Sequence, residues 1–310
     1  MAARFGKVSS VDGWWTSLLE PDGLLLRDRV LDAGVDPDTL LTALRSCRLR
    51  RIQRCVYAPR GVELTPLALA RAAVLSSNVP DAVASHLTAA RVHGIPRPSG
   101  TRPEHVTVSR GTRRRDRRDL RFHGRTLRLG EVEERDGVPL TTAARTLVDL
   151  TGILDRRDAA WAIDDTLRRG LCSREQLESA SLRYTSSAGP VAVARVAEAD
   201  GVSESILETA GRLAMLDHGV PLPMAQFQVF DRDGSLVARL DGAYPRRRLG
   251  LEFDGRAAHD QPDAVFRDRQ RQNRLVQLGW TVMRFTWWDV VHDPKNFAAE
   301  VKRALARRSA

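Results

Sequence analysis

The sequence predicts a multidomain chain of mixed α+β and α/β character. At 310 residues it is long enough for two or three domains, and 42% of those residues are apolar, near the globular norm. Its last third reads as helix, three strands, helix, strand and helix, an α-β-β-β-α-β-α order that makes a mixed sheet flanked by helices. Its first 60 residues read differently, as two short helices followed by a small ribbon. The expected division is therefore a module over 1–60, a mixed, largely helical region over 61–190 and a further domain over 195–310.

The N-terminal elements follow from local signals. Residues 23–33 have helical character, with Asp22 as candidate N-cap and Gly34 as stop. Asp36 and Pro37 then restart a helix, as N-cap and first helical residue, that runs to about Ser46. Two short helices around Ala33, Gly34 and Val35 have helix-turn-helix spacing. Arg48 to Tyr57 follows as an arginine-bearing ribbon carrying Leu49, Ile52 and Val56, as a wing would. One reading is a winged helix-turn-helix on duplex DNA, with Arg45, Arg48, Arg50, Arg51 and Arg54 on phosphates. The other is a bundle fragment with a solvated arginine face.

In the middle region, 68–75 and 81–92 are Ala-rich and predicted helical, and 105–109 reads as a strand. Residues 110–118 form a basic run broken by Asp116, expected to be an exposed and mostly solvated loop. Residues 142–149 and 158–169 are predicted amphipathic helices, and 185–190 has linker composition. In the last region, helices are expected over about 205–218, 262–277 and 296–307. Strands are expected over 225–230, 235–241 and 249–254, and a turn with a buried strand over 279–286. Among its aromatics, Trp280 and Phe285 flank an apolar strand and are expected in the core, whereas Trp287 and Trp288 could stack on bases.

Charge narrows the partner. The formal net charge is +10, and Lys occurs only at 7, 295 and 302, so the basicity is almost all arginine. Such a chain suits a nucleic acid better than a neutral small molecule, although a GC-rich genome also enriches Arg and Ala. Cys47, Cys55 and Cys172 have neither metal-ligand spacing nor the numbers for a disulfide framework. They read as reduced thiols, no apolar run reaches membrane-spanning length, and the N-terminus lacks a signal peptide's apolar core. The expected location is the cytoplasm, with no membrane partner.

Against this basic background stands a group of acids. The apolar runs 235–241 and 249–254 are joined by the turn-rich 242–248 and each ends in carboxylates. Antiparallel pairing brings Asp241 near Glu252, with Asp254 close by. Like charges do not gather in a sheet for stability, but a hard divalent cation such as Mg²⁺ would offset their repulsion. The pattern points to metal-assisted attack on a polyanion, with DNA as the obvious one. The turn arginines Arg246, Arg247 and Arg248 are candidate phosphate contacts, with solvation as the default.

Asp241, Glu252-Phe253-Asp254-Gly255 and His259 together resemble the PD-(D/E)XK nuclease superfamily, most closely its very-short-patch-repair-like branch. Residues 267–273, Gly279-Trp280 and 282–285 match that branch too, and the resemblance covers about the last third of the chain. It implies a restriction-endonuclease-like fold and a metal-dependent endonuclease using Mg²⁺ or Mn²⁺, with Asp241 and Glu252 as metal ligands. The third acid of that family comes from the first helix, where Glu208 matches. Ser205 to Glu208 also fits a capping box, and either role or both are open. Asp254 stands where the superfamily usually has Lys, so it would be a further ligand or part of a turn, and Arg267 or Arg271 would supply the missing cation. His259 is a candidate general base or proton shuttle, or simply a structural histidine.

The first two thirds resemble the antitoxin of AbiE-type toxin–antitoxin systems. The resemblance rests on the helix-turn-helix, Arg54-Cys55-Val56-Tyr57, 85–90 with His93-Gly94, and 139–149. Cys55 departs from the usual glycine. This resemblance implies DNA and a cognate toxin as partners. It also supports a rival reading, a non-catalytic antitoxin or transcriptional repressor with a degenerate nuclease fold.

Overall fold

The computed structural model describes residues 13–98, 103–185, 188–254 and 262–307. Contacts divide the chain into two units, Met1–Gly152 with Ser179–Tyr184, and Ile153–Glu178 with Thr185–Ala310. The chain mixes helices with three separate sheets, as the predicted α+β multidomain class requires.

The first unit opens with β1 (Leu25–Leu26), α1 (Arg27–Asp32), α2 (Pro37–Arg45), β2 (Leu49–Gln53) and β3 (Val56–Pro59). β3 lies between β1 and β2 in a three-stranded antiparallel sheet. Trp15, Leu25, Val30, Leu40 and Leu49 form the small core beneath it. Pro37 sits in the first turn of α2, where its missing N–H costs nothing. Asp36 is the N-cap residue of that helix, but its side chain makes no capping bond.

Asp22 departs further from expectation. Leu25 and Leu26 pair with Tyr57 and Val56, so helix starts only at Arg27. Asp22 instead accepts the Leu24 N–H at 3.2 Å and the Arg71 guanidinium at 2.9 Å. Between β2 and β3, Cys55 takes φ 63°, the left-handed region that favours glycine. A side chain is therefore held in a backbone state that a glycine would adopt freely.

The unit continues with α3 (Pro66–Ser77), β4 (Val83–Ala84), α4 (His86–His93), β5 (Glu104–Val108), β6 (Leu120–Gly124), β7 (Val132–Arg135), β8 (Val138–Thr141) and α5 (Ala143–Thr151). Five strands form a sheet in the order β6-β5-β4-β8-β7. β6 runs parallel to β5, and β8 runs parallel to β4.

The helix expected over 81–92 is corrected in its first half. Val83 and Ala84 pair with strands on both sides, and Ser85 stays extended at φ −147°. Two ladders of backbone hydrogen bonds outweigh the modest helix preference of alanine, well under about 1 kcal/mol per residue. The β7–β8 hairpin has no counterpart among the sequence expectations. The basic run over 110–118 is a loop, but not wholly a solvated one. Arg117 and Arg114 donate to the carbonyls of Ser76 and Asn78, at the open C-terminal end of α3.

Later elements are α6 (Arg156–Arg168), α7 (Arg174–Arg183), α8 (Gly189–Glu198), α9 (Ile206–Asp217), β9 (Met224–Phe230), β10 (Leu236–Tyr244), β11 (Leu249–Asp254), α10 (Pro262–Gln277), β12 (Thr281–Thr286) and α11 (Pro294–Arg307). From α9 onward the order is the predicted α-β-β-β-α-β-α. The sheet runs β12-β11-β10-β9, antiparallel except for β11 with β12, which α10 connects. β10 extends through Tyr244, so the turn expected over 242–248 shortens to 245–248, with Arg248 at φ 47°. Leu207, Met215, Leu251, Phe285 and Phe297 build one core cluster. Val229, Ala238, Leu240 and Leu275 build another, against which Trp280 packs. Phe285 and Trp280 thus play the expected packing role, while Trp287 and Trp288 remain 37% and 66% exposed. No helix among the described residues is long and apolar enough to cross a membrane.

Candidate functional site

The acidic group is assembled by α9, β10 and β11. Ser205 caps α9, its Oγ accepting the Glu208 N–H at 3.2 Å. Glu208 Oε2 accepts the Glu204 N–H at 2.9 Å, so the predicted capping box exists, with its return bond going to Glu204 instead of Ser205. One turn further along α9, Gly211 lets the helix approach β11. A methyl group there would overlap the Phe253 ring, which packs against this core cluster.

Asp241 lies on β10 one step beyond the pair Gly242–Leu251, opposite Glu252 in that register. Burial pushes its carboxyl up to about 6, and the negative charges of Glu208 and Glu252 add to the rise. The Phe253 N–H, donating to Asp241 Oδ2 at 2.8 Å, and the Arg239 charge oppose that rise. Arg239 is itself engaged by Glu204, at 2.8 Å to each oxygen.

Glu252 is only 6% exposed, yet its charge is matched. Arg271 of α10 reaches it at 2.7 Å and Arg284 of β12 at 3.1 Å. Asp268 ties the two arginines together, at 2.7 Å and 3.0 Å. Arg284 arrives through the parallel register, which sets it beside Glu252. Of the two cations suggested for the place of the superfamily lysine, Arg271 is in contact with the site. Arg267 is exposed and pairs with none of these acids among the described residues. Asp254 ends β11, exposed, and its charge helps raise the Arg284 pKa. His259 lies outside the described residues.

Gln226 is a site residue that the sequence reading missed. It adopts φ 49°, and its Nε2 donates to Glu208 Oε2 at 2.8 Å. Its Oε1 is buried and meets no donor among the described residues. Nothing local in the sequence marks this role, because it depends on the left-handed kink in β9. Carboxylate and amide oxygens are hard donors of the kind Mg²⁺ or Mn²⁺ takes. Glu252 is a neighbour whose arginines would have to shift for it to join. Among the described residues the acids therefore form no closed cage as they stand.

The arginines named for DNA are at the surface. Arg45, Arg48, Arg50, Arg51 and Arg54 are exposed, as are Arg246 and Arg248, with Arg247 partly so. Several are held by protein groups. Arg50 donates to the Val62 carbonyl at 2.7 Å, and Arg51 lies 3.6 Å from Asp119. Arg48 lies 4.9 Å over the Trp15 ring, and Arg248 donates to the Leu278 carbonyl at 3.1 Å.

Residues 226–305 match the restriction endonuclease-like family REase_MTES_1575, so the C-terminal part of the chain carries a nuclease-like domain. The chain belongs to the same family as two Mycobacterium tuberculosis proteins. These are "Uncharacterized protein Rv2248" of strain ATCC 25618 / H37Rv and "Uncharacterized protein MT2308" of strain CDC 1551 / Oshkosh. Each is 35% identical over 182 residues, covering 58% of this chain and 67% of the relative. The crystal structure of RV2827C protein from Mycobacterium tuberculosis aligns with 67% of this chain and 83% of its own, at 16% identity and a TM-score of 0.38. That likeness is too slight to bear on the fold.

Proposed function

We propose that the C-terminal domain, 195–310, is a metal-dependent DNA endonuclease that hydrolyses phosphodiester bonds, and that residues 1–60 act as a winged-helix-like module delivering it to DNA. Residues 61–190 connect the two. The observation that carries this reading is the half-buried Asp241 carboxyl set opposite the buried Glu252, with the charges of Glu208 and Glu252 raising its pKa further. Such an arrangement is costly for the protein alone and is relieved by a divalent cation.

Asp241, Glu208 and Glu252 would hold Mg²⁺ or Mn²⁺, with the Gln226 amide oxygen as a neutral donor. When bound, the ion supplies a water of lowered pKa and offsets charge on the phosphate oxygens. The protein's own groups do the rest. The Phe253 N–H fixes Asp241 Oδ2 at 2.8 Å. Arg271 and Arg284 bring positive charge to the place where the superfamily uses Lys, so the absence of that Lys does not leave the site without a cation. Asp254, at the exposed end of β11, is a further ligand, and His259 is the proposed general base or proton shuttle. Arg45 and Arg54, with Arg246 to Arg248, are the proposed phosphate contacts.

One observation favours a second reading. The two arginines already balance Glu252, so this part of the sheet is stable without a cation. That suits a non-catalytic DNA-binding antitoxin or repressor with a degenerate nuclease fold and a cognate toxin as partner. Cleavage of supercoiled and linear DNA with Mg²⁺ or Mn²⁺ decides between them, beside folded Asp241→Ala and Glu252→Ala variants. Metal-dependent cutting lost in both variants supports the endonuclease. Tight binding without cutting under either metal supports the second reading.

A further inference from the structure

We infer that His86, His105 and His123 of the first unit form a binding site for a borderline transition metal ion such as Zn²⁺. One ring nitrogen from each histidine lies within 4.8 Å of the others. Three imidazoles around one ion, with a fourth position left to water, is a recurrent zinc arrangement. No acid of the C-terminal site takes part, and the donor chemistry differs. Nitrogen ligands select ions such as Zn²⁺ or Co²⁺ over Mg²⁺.

Three parts of the fold bring these residues together. β5 and β6 run parallel with Thr107 beside His123, which puts His105 and His123 on one face of the sheet by strand alternation. His105 Nδ1 and His123 Nε2 approach to 2.9 Å, so one nitrogen donates its proton to the other. Two nitrogens bound to a single zinc would stand about 3–3.5 Å apart, given Zn–N bonds of roughly 2.0–2.1 Å. His86 follows the extended Ser85 at the start of α4 and takes φ 49°. A residue other than glycine in that region is conformationally strained, and such strain gathers at functional sites. The strained conformation accompanies a stack of the His86 ring on His123, with centroids 3.6 Å apart.

Burial disfavours the charged form of two of the three rings. Burial, followed by the charge of neighbouring His105, holds His86 well below the ordinary histidine range, and burial beside His86 lowers His123 to about 3. Behind them stand oriented polar groups. His86 Nδ1 lies 2.9 Å from Ser85 Oγ, which accepts from Thr107 Oγ1 at 2.8 Å. Asp149 Oδ2 lies 4.0 Å from the same ring nitrogen. Asp149 is 1% exposed and held by Arg145 at 3.1 Å, which in turn reaches Glu131 at 2.7 Å. Ser85 Oγ, not the more distant carboxylate, is the hydrogen-bond partner that orients this ring.

A purely structural set of histidines explains less. One hydrogen bond between two rings engages one nitrogen of each, and a third imidazole is stacked on them through a left-handed backbone. Binding requires the rings to turn and the proton shared by His105 and His123 to leave, because all three rings are stacked on one another. The His86 and His123 rings are within 15° of parallel, and a metal must lie in the plane of each ring it bonds. His123 is the ring best placed to turn, since it is partly exposed and belongs to β6, an edge strand of its sheet.

The test uses untagged full-length protein stripped of metal by a chelator and titrated with Co²⁺, read by its visible d–d absorption and by competition with Zn²⁺. The expected result is a tetrahedral spectrum saturating at one equivalent, kept in an Asp241→Ala/Glu208→Ala double variant and lost in His123→Ala. X-ray absorption of Zn²⁺-loaded wild type is then expected to show imidazole scattering, a readout that needs no variant to fold. Failure of the wild type to bind Co²⁺ or Zn²⁺ stoichiometrically overturns the assignment. A metal shell of oxygen alone, or binding abolished by the acidic-site variant, does the same.

Discussion

The backbone N–H of Phe253 donates to Oδ2 of Asp241 at 2.8 Å, linking the end of β11 to β10. One hydrogen bond from a peptide group steadies the carboxylate form but does not offset its burial or the charges of Glu208 and Glu252, and the carboxyl stays up near 6. The site is thus strained electrostatically where metal binding is proposed.

The first prediction follows from that strain. The folded-state pKa of Asp241 is raised from 3.8 to about 6, so the folded protein holds this proton more tightly than the unfolded chain. Its contribution to stability is full below pH 3.8 and falls as pH rises through about 6. Asp241→Asn removes the dependence and should stabilise the metal-free protein at pH 8 by about 1–2 kcal/mol, after allowance for solvent screening. Urea unfolding of both proteins in EDTA at pH 5 and pH 8 measures this, and a variant less stable at pH 8 contradicts it. The same variant should lose the stabilisation by Mg²⁺ expected of wild type.

Glu252 should behave in the opposite way, because its charge is already matched. Glu252→Gln leaves Arg271 and Arg284 sharing Asp268 alone and should destabilise by about 2–4 kcal/mol. A double-mutant cycle with Arg271→Ala should return a coupling of about 1–3 kcal/mol. A coupling near zero would show that the 2.7 Å contact carries no net interaction in solution.

Capping and metal binding at Glu208 separate cleanly by substitution. Glu208→Gln keeps an oxygen that can accept the Glu204 N–H, whereas Glu208→Ala loses it. Alanine should therefore cost about 1 kcal/mol of stability and glutamine much less. If Glu208 is also a ligand, both variants should weaken Mn²⁺ binding, measured by titration calorimetry. Wild-type metal affinity in the glutamine variant would leave capping as its role.

The candidate DNA-contact arginines should differ according to what holds them. Arg54→Ala and Arg45→Ala should each lower the slope of log K against log salt by roughly 0.9 in duplex-DNA binding. Arg51 and Arg248 are partly engaged, by Asp119 at 3.6 Å and by the Leu278 carbonyl at 3.1 Å, so their alanine variants should change it less. Fluorescence anisotropy across a salt series reads the slopes, and equal slopes in all four variants would remove these contacts from the model of binding.

What could be read in advance was mostly local. Pro37 at the start of α2 and Ser205 with Glu208 at the start of α9 act within a single turn of chain, and each appears where the sequence puts it. The apolar runs of β9, β10 and β11 were legible for the same reason, within a few residues at their ends. Where local preference met a competing partner, it lost. Leu25 and Leu26 left their predicted helix to pair with β3, and Val83 and Ala84 left theirs to sit between two strands. The candidate acids were legible because strand pairing across a short turn brings Asp241 near Glu252 from sequence spacing alone.

The sequence by itself determined the basic charge, the order of elements from α9 to α11 and the presence of carboxylates on two consecutive strands. Only the tertiary structure decided which charges meet. The parallel register of β11 and β12 sets Arg284 beside Glu252, and the kink at Gln226 turns an amide toward Glu208. Likewise, His86, His105 and His123 belong to one helix and two strands, and no spacing among them signals a cluster. The physical reason is one of range. Caps, turns and periodicity depend on a few consecutive residues, whereas these contacts depend on how separate elements pair and pack.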